Sequence, residues 1–250
     1  MRSGGLVTAT IVLSLAAVTS SAQTGARLSP LQIGIACAPP PVLVRLGPDA
    51  IRVVAAQDVD PREVLGVPET FVLSGGTARG LALGQEFYVR RVMVDESVPG
   101  DPPRPVLTSG WVTIVAANET TAIAAVEHAC GPIMAGDHLE PFVAPIPPPD
   151  AERVDASGRL DFTAMGRVVY GSEEHRNIAA GDFLLIDQGT DRGFAPGARV
   201  AFYRDPETAG VPLVAIGEAV VISVGPTMAL VRVNAANGEV RSGDYVVPRR

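Results

Sequence analysis

The apolar residues of this chain fall into short runs divided by turn-forming residues. Several runs alternate with polar positions. Glu86-Phe-Tyr-Val-Arg90 is one, the pattern of a strand with one face buried. In the first half the pattern predicts strands over 31–36, 42–46, 51–54, 71–73, 86–90, 110–117, 120–127 and 138–143. In the second half it predicts strands over 167–169, 183–186, 199–203, 217–224, 228–233 and 245–247. Pro39, Pro40 and Pro41 interrupt the pattern, since proline fixes φ and removes a donor. Residues 61–65 have the pattern of one helical turn, with Asp60 as its N-cap. Residues 95–109 are proline-rich and polar and are expected to form a loop, as are 171–180 and 205–212.

The pattern is written twice. Residues 71–91 align with 184–204 at an offset of 113, and residues 110–141 align with 217–248 at an offset of 107. The identical positions are mostly turn-formers: Gly76, Thr77, Arg79, Gly80, Ala82 and Gly84 meet Gly189, Thr190, Arg192, Gly193, Ala195 and Gly197. Arg91 meets Arg204, and the pairs Gly136-Asp137 and Gly243-Asp244 coincide. The glycines Gly80, Gly84, Gly193, Gly197, Gly136 and Gly243 are read as structural turns that need positive φ or close backbone approach. Asp137 and Asp244 are read as turn carboxylates accepting from nearby backbone N–H groups. The expected fold is all-β, with two tandem small antiparallel β-barrel-like domains; two-sheet sandwiches are the alternative. The domains are expected at 50–143 and 161–250, joined by a proline-rich linker over 144–160 and preceded by an extension with short strands over 23–49.

Composition changes this picture little. With 26 Gly and 22 Pro, turns are dense, which favours short strands over long helices. A net charge of −7, with basic residues spread singly, argues against nucleic-acid binding. Residues 1–22 read as a signal peptide: Arg2, an apolar stretch over 6–18, then Ser20-Ser21-Ala22 as a cleavage site. An uncleaved anchor is the alternative; after cleavage no membrane span is expected. Cys37 and Cys130 would then reach an oxidising compartment and can form a disulfide, or remain as two buried thiols.

The second unit carries a resemblance in Gly166-Arg-Val-Val, Gly181-Asp-Phe-Leu-Leu-Ile-Asp, the Gly193/Gly197 loop, Val200-Ala-Phe-Tyr-Arg, Gly217-Glu-Ala-Val-Val and Gly243-Asp-Tyr-Val-Val-Pro. It resembles the β-domain of bacterial envelope proteins that occurs beside LysM peptidoglycan-binding modules. It is also similar to the C-terminal domain of flagellar assembly protein T. The resemblance covers the second unit well and the first more loosely. It implies an envelope-located, non-catalytic β-module; with the signal peptide, the expected location is the periplasm or cell envelope, and an extracellular one is the alternative. The chain has no LysM module, so peptidoglycan binding does not carry over, and the resemblance supplies no catalytic residues.

A search for chemistry gives few candidates. There is no Gly-x-Ser-x-Gly elbow and no phosphate-cradling Gly-x-x-x-x-Gly-Lys run. Glu173-Glu174 sits in a polar loop as solvated charge. His128 and Cys130, two apart, share a strand face, and Asp137 and His138 follow after a turn. Zinc takes such ligands, but the spacing matches no established zinc pattern, and neither metal nor cofactor is expected. Trp111, the sole Trp, is expected in a core rather than at an interface. The loop over 95–109 belongs to the first unit alone and is where a separate function would sit. The expected function is therefore an exported binding or scaffold module, with an envelope protein or glycan as partner and self-association possible. A secreted enzyme, or an accessory domain with a site between the repeats, is the alternative.

Overall fold

The structure is a computed structural model that describes residues 27–57, 69–93, 104–171 and 178–250. The expected signal segment, the helical turn at 61–65, most of the loop over 95–109 and Glu173-Glu174 lie outside the described residues.

The chain is mostly strand. After helix α1 (Pro30–Cys37) come β1 (Leu43–Val44), β2 (Val53–Ala56), β3 (Thr70–Leu73), β4 (Glu86–Val92), β5 (Arg104–Ala117), β6 (Ala122–Ala129) and β7 (His138–Pro141). The second unit contains β8 (Gly166–Gly171), β9 (Phe183–Ile186), β10 (Arg199–Arg204), β11 (Val214–Val224), β12 (Ala229–Ala236) and β13 (Tyr245–Arg249).

The second unit is a closed antiparallel barrel in the order β10-β11-β12-β9-β8-β13. The first runs β2-β3-β6-β5-β4-β7, and its two end strands meet at an Arg52–His138 bridge. Written as rings, the two orders are the same. Their irregularities coincide as well. Bulges at Val89/Arg90, Trp111/Val112 and Ile114/Ala116 recur at Phe202/Tyr203, Glu218/Ala219 and Val221/Ser223, at the offsets of the sequence repeat. A bulge adds local twist and bends the strand. Its repetition shows that both barrels turn their corners at the same places.

Each barrel is filled by its own side chains. Phe71, Leu73, Val89, Val112 and Ile114 pack in the first. Leu184, Ile186, Val200, Phe202, Val221 and Val246 pack in the second. Phe71 and Phe202 are fully buried, and closure leaves few strand edges open.

Two expectations are corrected. Residues 31–36 are not a strand but lie in α1. Ser29 caps the helix: it accepts from the Gln32 N–H, Gln32 returns a bond to the Ser29 N–H, and Pro30 occupies the first turn. This reciprocal cap fixes a helix start locally, whereas a short apolar run alone does not separate helix from strand. Secondly, 104–109 is not loop but the first part of β5, which pairs with β4 and with β1. Pro105 is tolerated there at the margin of the ladder: its carbonyl accepts from the Met93 N–H just past the end of β4, and the two-residue β1 lies on its other side.

Helix α1 lies between the barrels. Ile35 packs with Phe183, Leu185, Val220, Ile222 and Leu230 on the outside of the second barrel. Ile33, Ala36 and Cys37 pack with Tyr88, Trp111 and Phe142 on the outside of the first. A helix apolar on all sides needs such two-sided cover. It also explains why Phe183–Ile186 is buried at every position, without alternation.

The linker is pinned to the second barrel. Ala151 joins the apolar cluster around Ile35. Asn234 Nδ2 donates to the carbonyls of Ala151 (3.0 Å) and Arg153 (2.7 Å), and Arg199 Nη1 donates to Arg153 O (2.8 Å).

Candidate functional site

The duplicated Gly-rich stretch makes the same local structure in both units. Thr77–Arg79 and Thr190–Arg192 each form a single 3₁₀ turn after β3 or β9. Gly80 and Gly193 close these turns at φ 83° and 79°. Gly84 and Gly197 follow at φ 77° and 87°, and Gly136 and Gly243 stand at 94° and 90°. The turn docks on the tip of the next hairpin. The Thr77 and Ala78 N–H groups donate to Asn118 O (2.8 Å) and Glu119 O (3.1 Å). Thr190 and Asp191 repeat this with Gly225 O (3.0 Å) and Pro226 O (3.1 Å). A Cβ at Gly76 or Gly189 would collide with the carbonyl of Asn118 or Pro226. The stretch closes one end of each barrel and leaves its backbone donors used.

Asp137 and Asp244 serve the opposite end. Asp137 accepts from Arg91 Nε and Nη2, both at 2.8 Å, and from the Met134 N–H at 2.9 Å. Asp244 accepts from Arg204 Nε (2.8 Å) and Nη2 (2.7 Å) and from the Arg241 N–H (2.7 Å). The hydrogen bond to Asp244 raises the pKa of Arg204 above the ordinary arginine value.

What distinguishes the units is the outer face of the first barrel. Arg90 is buried there. Its guanidinium donates to Glu140 Oε2 (3.3 Å) and to Thr108 Oγ1, and lies 4.1 Å over the Tyr88 ring. Thr108 Oγ1 donates to Ala38 O at 3.0 Å, just past α1. His138 Nε2 meets Glu140 Oε1 at 3.3 Å, while its buried Nδ1 has no partner among the described residues. The His138 hydrogen bond and the Arg90 charge hold Glu140 below the usual carboxylate range, against burial. Burial lowers the Arg90 pKa, with Glu140 opposing. The aligned positions of the second unit carry Ala201, Tyr203, Ala215, Tyr245 and Val247, so this network is absent there.

Beside it, Cys37 and Cys130 form a disulfide with Cα atoms 5.3 Å apart. The bond fastens the end of α1 to the end of β6. Trp111 is buried beneath α1, its ring stacked on His128 at 4.4 Å and 5.5 Å from Phe142. The expected core role of Trp111 is therefore played at the contact between helix and barrel. A cavity of about 430 Å³ opens next to the disulfide, with Arg91, Thr108, Ser109 and Pro132 among its walls. Of the four metal-ligand candidates, the fold gathers His128 and Cys130 with Cys37, ligand atoms within 4.8 Å of one another. It directs Asp137 to Arg91 and His138 to Glu140 instead. Cys37 joins the set only through the docking of α1, which its spacing in the sequence does not show.

Among the described residues no helix is long and apolar enough to cross a membrane. In comparisons with known proteins, no family model and no curated protein matches this chain.

Proposed function

We propose that this protein is an exported, non-catalytic binding or scaffold protein of the bacterial envelope, built from two copies of one small barrel. The observation that carries the reading is the placement of α1. It occupies the space between two barrels that are themselves filled, and a disulfide fastens it to one of them. Such a body presents outer surfaces rather than an internal chamber to a partner. The apolar leader of the sequence and the disulfide support export. The resemblance to LysM-associated β-domains supports an envelope location, with a protein or glycan as partner.

The test is expression from the native N-terminus in a bacterial host, fractionation, and crosslinked capture from envelope extracts. The reading expects an oxidised chain cleaved before Gln23 in the periplasmic fraction, retaining the same envelope protein or glycan in replicate captures. A full-length reduced chain in the cytoplasm, or reproducible failure to retain any partner, overturns it.

A further inference from the structure

We propose that the Cys37–Cys130 bond masks a metal site: once the bond is opened by a dithiol, Cys37, Cys130 and His128 bind one thiophilic cation of the zinc class. Three features support this. First, the three ligand atoms already lie within 4.8 Å of one another. Two sulfurs and one imidazole are the donor set such ions prefer. Secondly, the ligands are held. The Cα atoms of the two cysteines are 5.3 Å apart on elements packed together by Ile33, Ala36 and Trp111. The His128 ring is stacked on Trp111 with 16° between planes. Thirdly, the site is accessible. The cavity of about 430 Å³ reaches both cysteines, giving a small dithiol and a cation a way in and leaving room for water as a fourth ligand. Three protein ligands with one open position mark an exchangeable site rather than a closed structural one.

Barrel closure does not require these residues. The second barrel closes with Ala235 and Asn237 at the aligned positions. The chemistry balances. The dithiol gives two electrons and two protons to the protein disulfide and becomes a disulfide itself. The cation then displaces the two thiol protons to solvent. Two thiolates neutralise a dication, which limits the cost of holding charge at a half-buried site.

The test reduces the purified protein with a dithiol, removes the reductant under anaerobic conditions, and titrates with Co²⁺ and Cd²⁺. The oxidised protein and His128→Gln run in parallel. The expected result is one ion per reduced chain, with thiolate charge-transfer absorption and tetrahedral cobalt bands. No such absorption is expected from the oxidised protein. Loss of a direct ligand in His128→Gln should weaken binding at least about tenfold. That variant keeps both cysteines, so its disulfide checks its folding. Three outcomes overturn the proposal: no thiolate absorption on titration, equal affinity in His128→Gln, or loss of the Trp111 near-ultraviolet signal on reduction alone.

Discussion

Arg204 grips Asp244 with two parallel hydrogen bonds, at 2.8 and 2.7 Å, and Arg91 grips Asp137 in the same way at 2.8 Å twice. Both carboxylates are nearly inaccessible, at 3% and 5% side-chain exposure, while both arginines stay about a third exposed. The planar fork matters: all 20 basic residues of the chain are arginine, and lysine cannot make the paired contact. Asp244→Ala removes both bonds of the fork, leaving Arg204 with the Glu239 carbonyl and partial exposure to water, and takes the acceptor from the Arg241 N–H. It should cost about 1–3 kcal/mol. Arg204→Lys should cost less, though not nothing. Urea unfolding of the three proteins checks the order.

The disulfide closes a loop over a sequence separation of 93. Under denaturing alkylation, the unreduced protein should take up no label at Cys37 and Cys130, and two after reduction. Two labels before reduction would contradict the bond. A Cys37→Ser/Cys130→Ser chain should lose about 2–4 kcal/mol of stability by denaturant melt.

Two glycines of the repeated stretch should respond differently to alanine. At Gly193 a Cβ meets open space, but φ is 79°, so Gly193→Ala should cost about 1–2 kcal/mol of backbone strain. At Gly189 the Cβ would run into the backbone of Pro226 and Thr227, which cannot yield without parting the turn from the hairpin tip. Gly189→Ala should therefore cost more than Gly193→Ala, and calorimetric melting temperatures would show the reverse order if the docking contact were unimportant.

Glu140 gives the first barrel an acid dependence. Its carboxyl titrates below the ordinary value of 4.5, chiefly through the His138 hydrogen bond and then Arg90. A depressed carboxylate stabilises the fold above its unfolded value, and this contribution disappears as pH falls through the folded value. Stability should therefore drop as pH falls below about 4.5, with a smaller drop in Glu140→Gln. Parallel profiles for the two proteins would remove Glu140 as the cause.

The turn chemistry of this fold is legible because turns are local. Gly80 and Gly193 act within their own turns, and Asp137 and Asp244 accept from the Met134 and Arg241 N–H groups three residues back. Duplication shows all four as matched pairs, whereas the long-range grip of Arg91 and Arg204 on the two carboxylates depends on the fold. The reciprocal cap of Ser29 and Gln32 is equally local, yet the apolar run behind it resembles a strand when read by periodicity alone. Arg90, Thr108, Glu140 and His138 come from three strands and meet only through register. Nothing in their spacing announces a network, although Tyr203, Ala215 and Val247 opposite them mark the place where the copies diverge. The partnership of Cys37 with His128 needed the helix seated on the barrel before it could be seen.

The position of α1 sets an order of events. The helix is made before either barrel, but part of its apolar cover comes from Phe183, Leu185, Val220, Ile222 and Leu230, far later in the chain. Its cap can form at once, whereas its burial must wait for the second barrel. A chain that emerges from its N-terminus thus carries an unfinished greasy segment through most of its synthesis. Early bonding of Cys37 to Cys130 would hold that segment against the first barrel, away from other chains, until the second arrives.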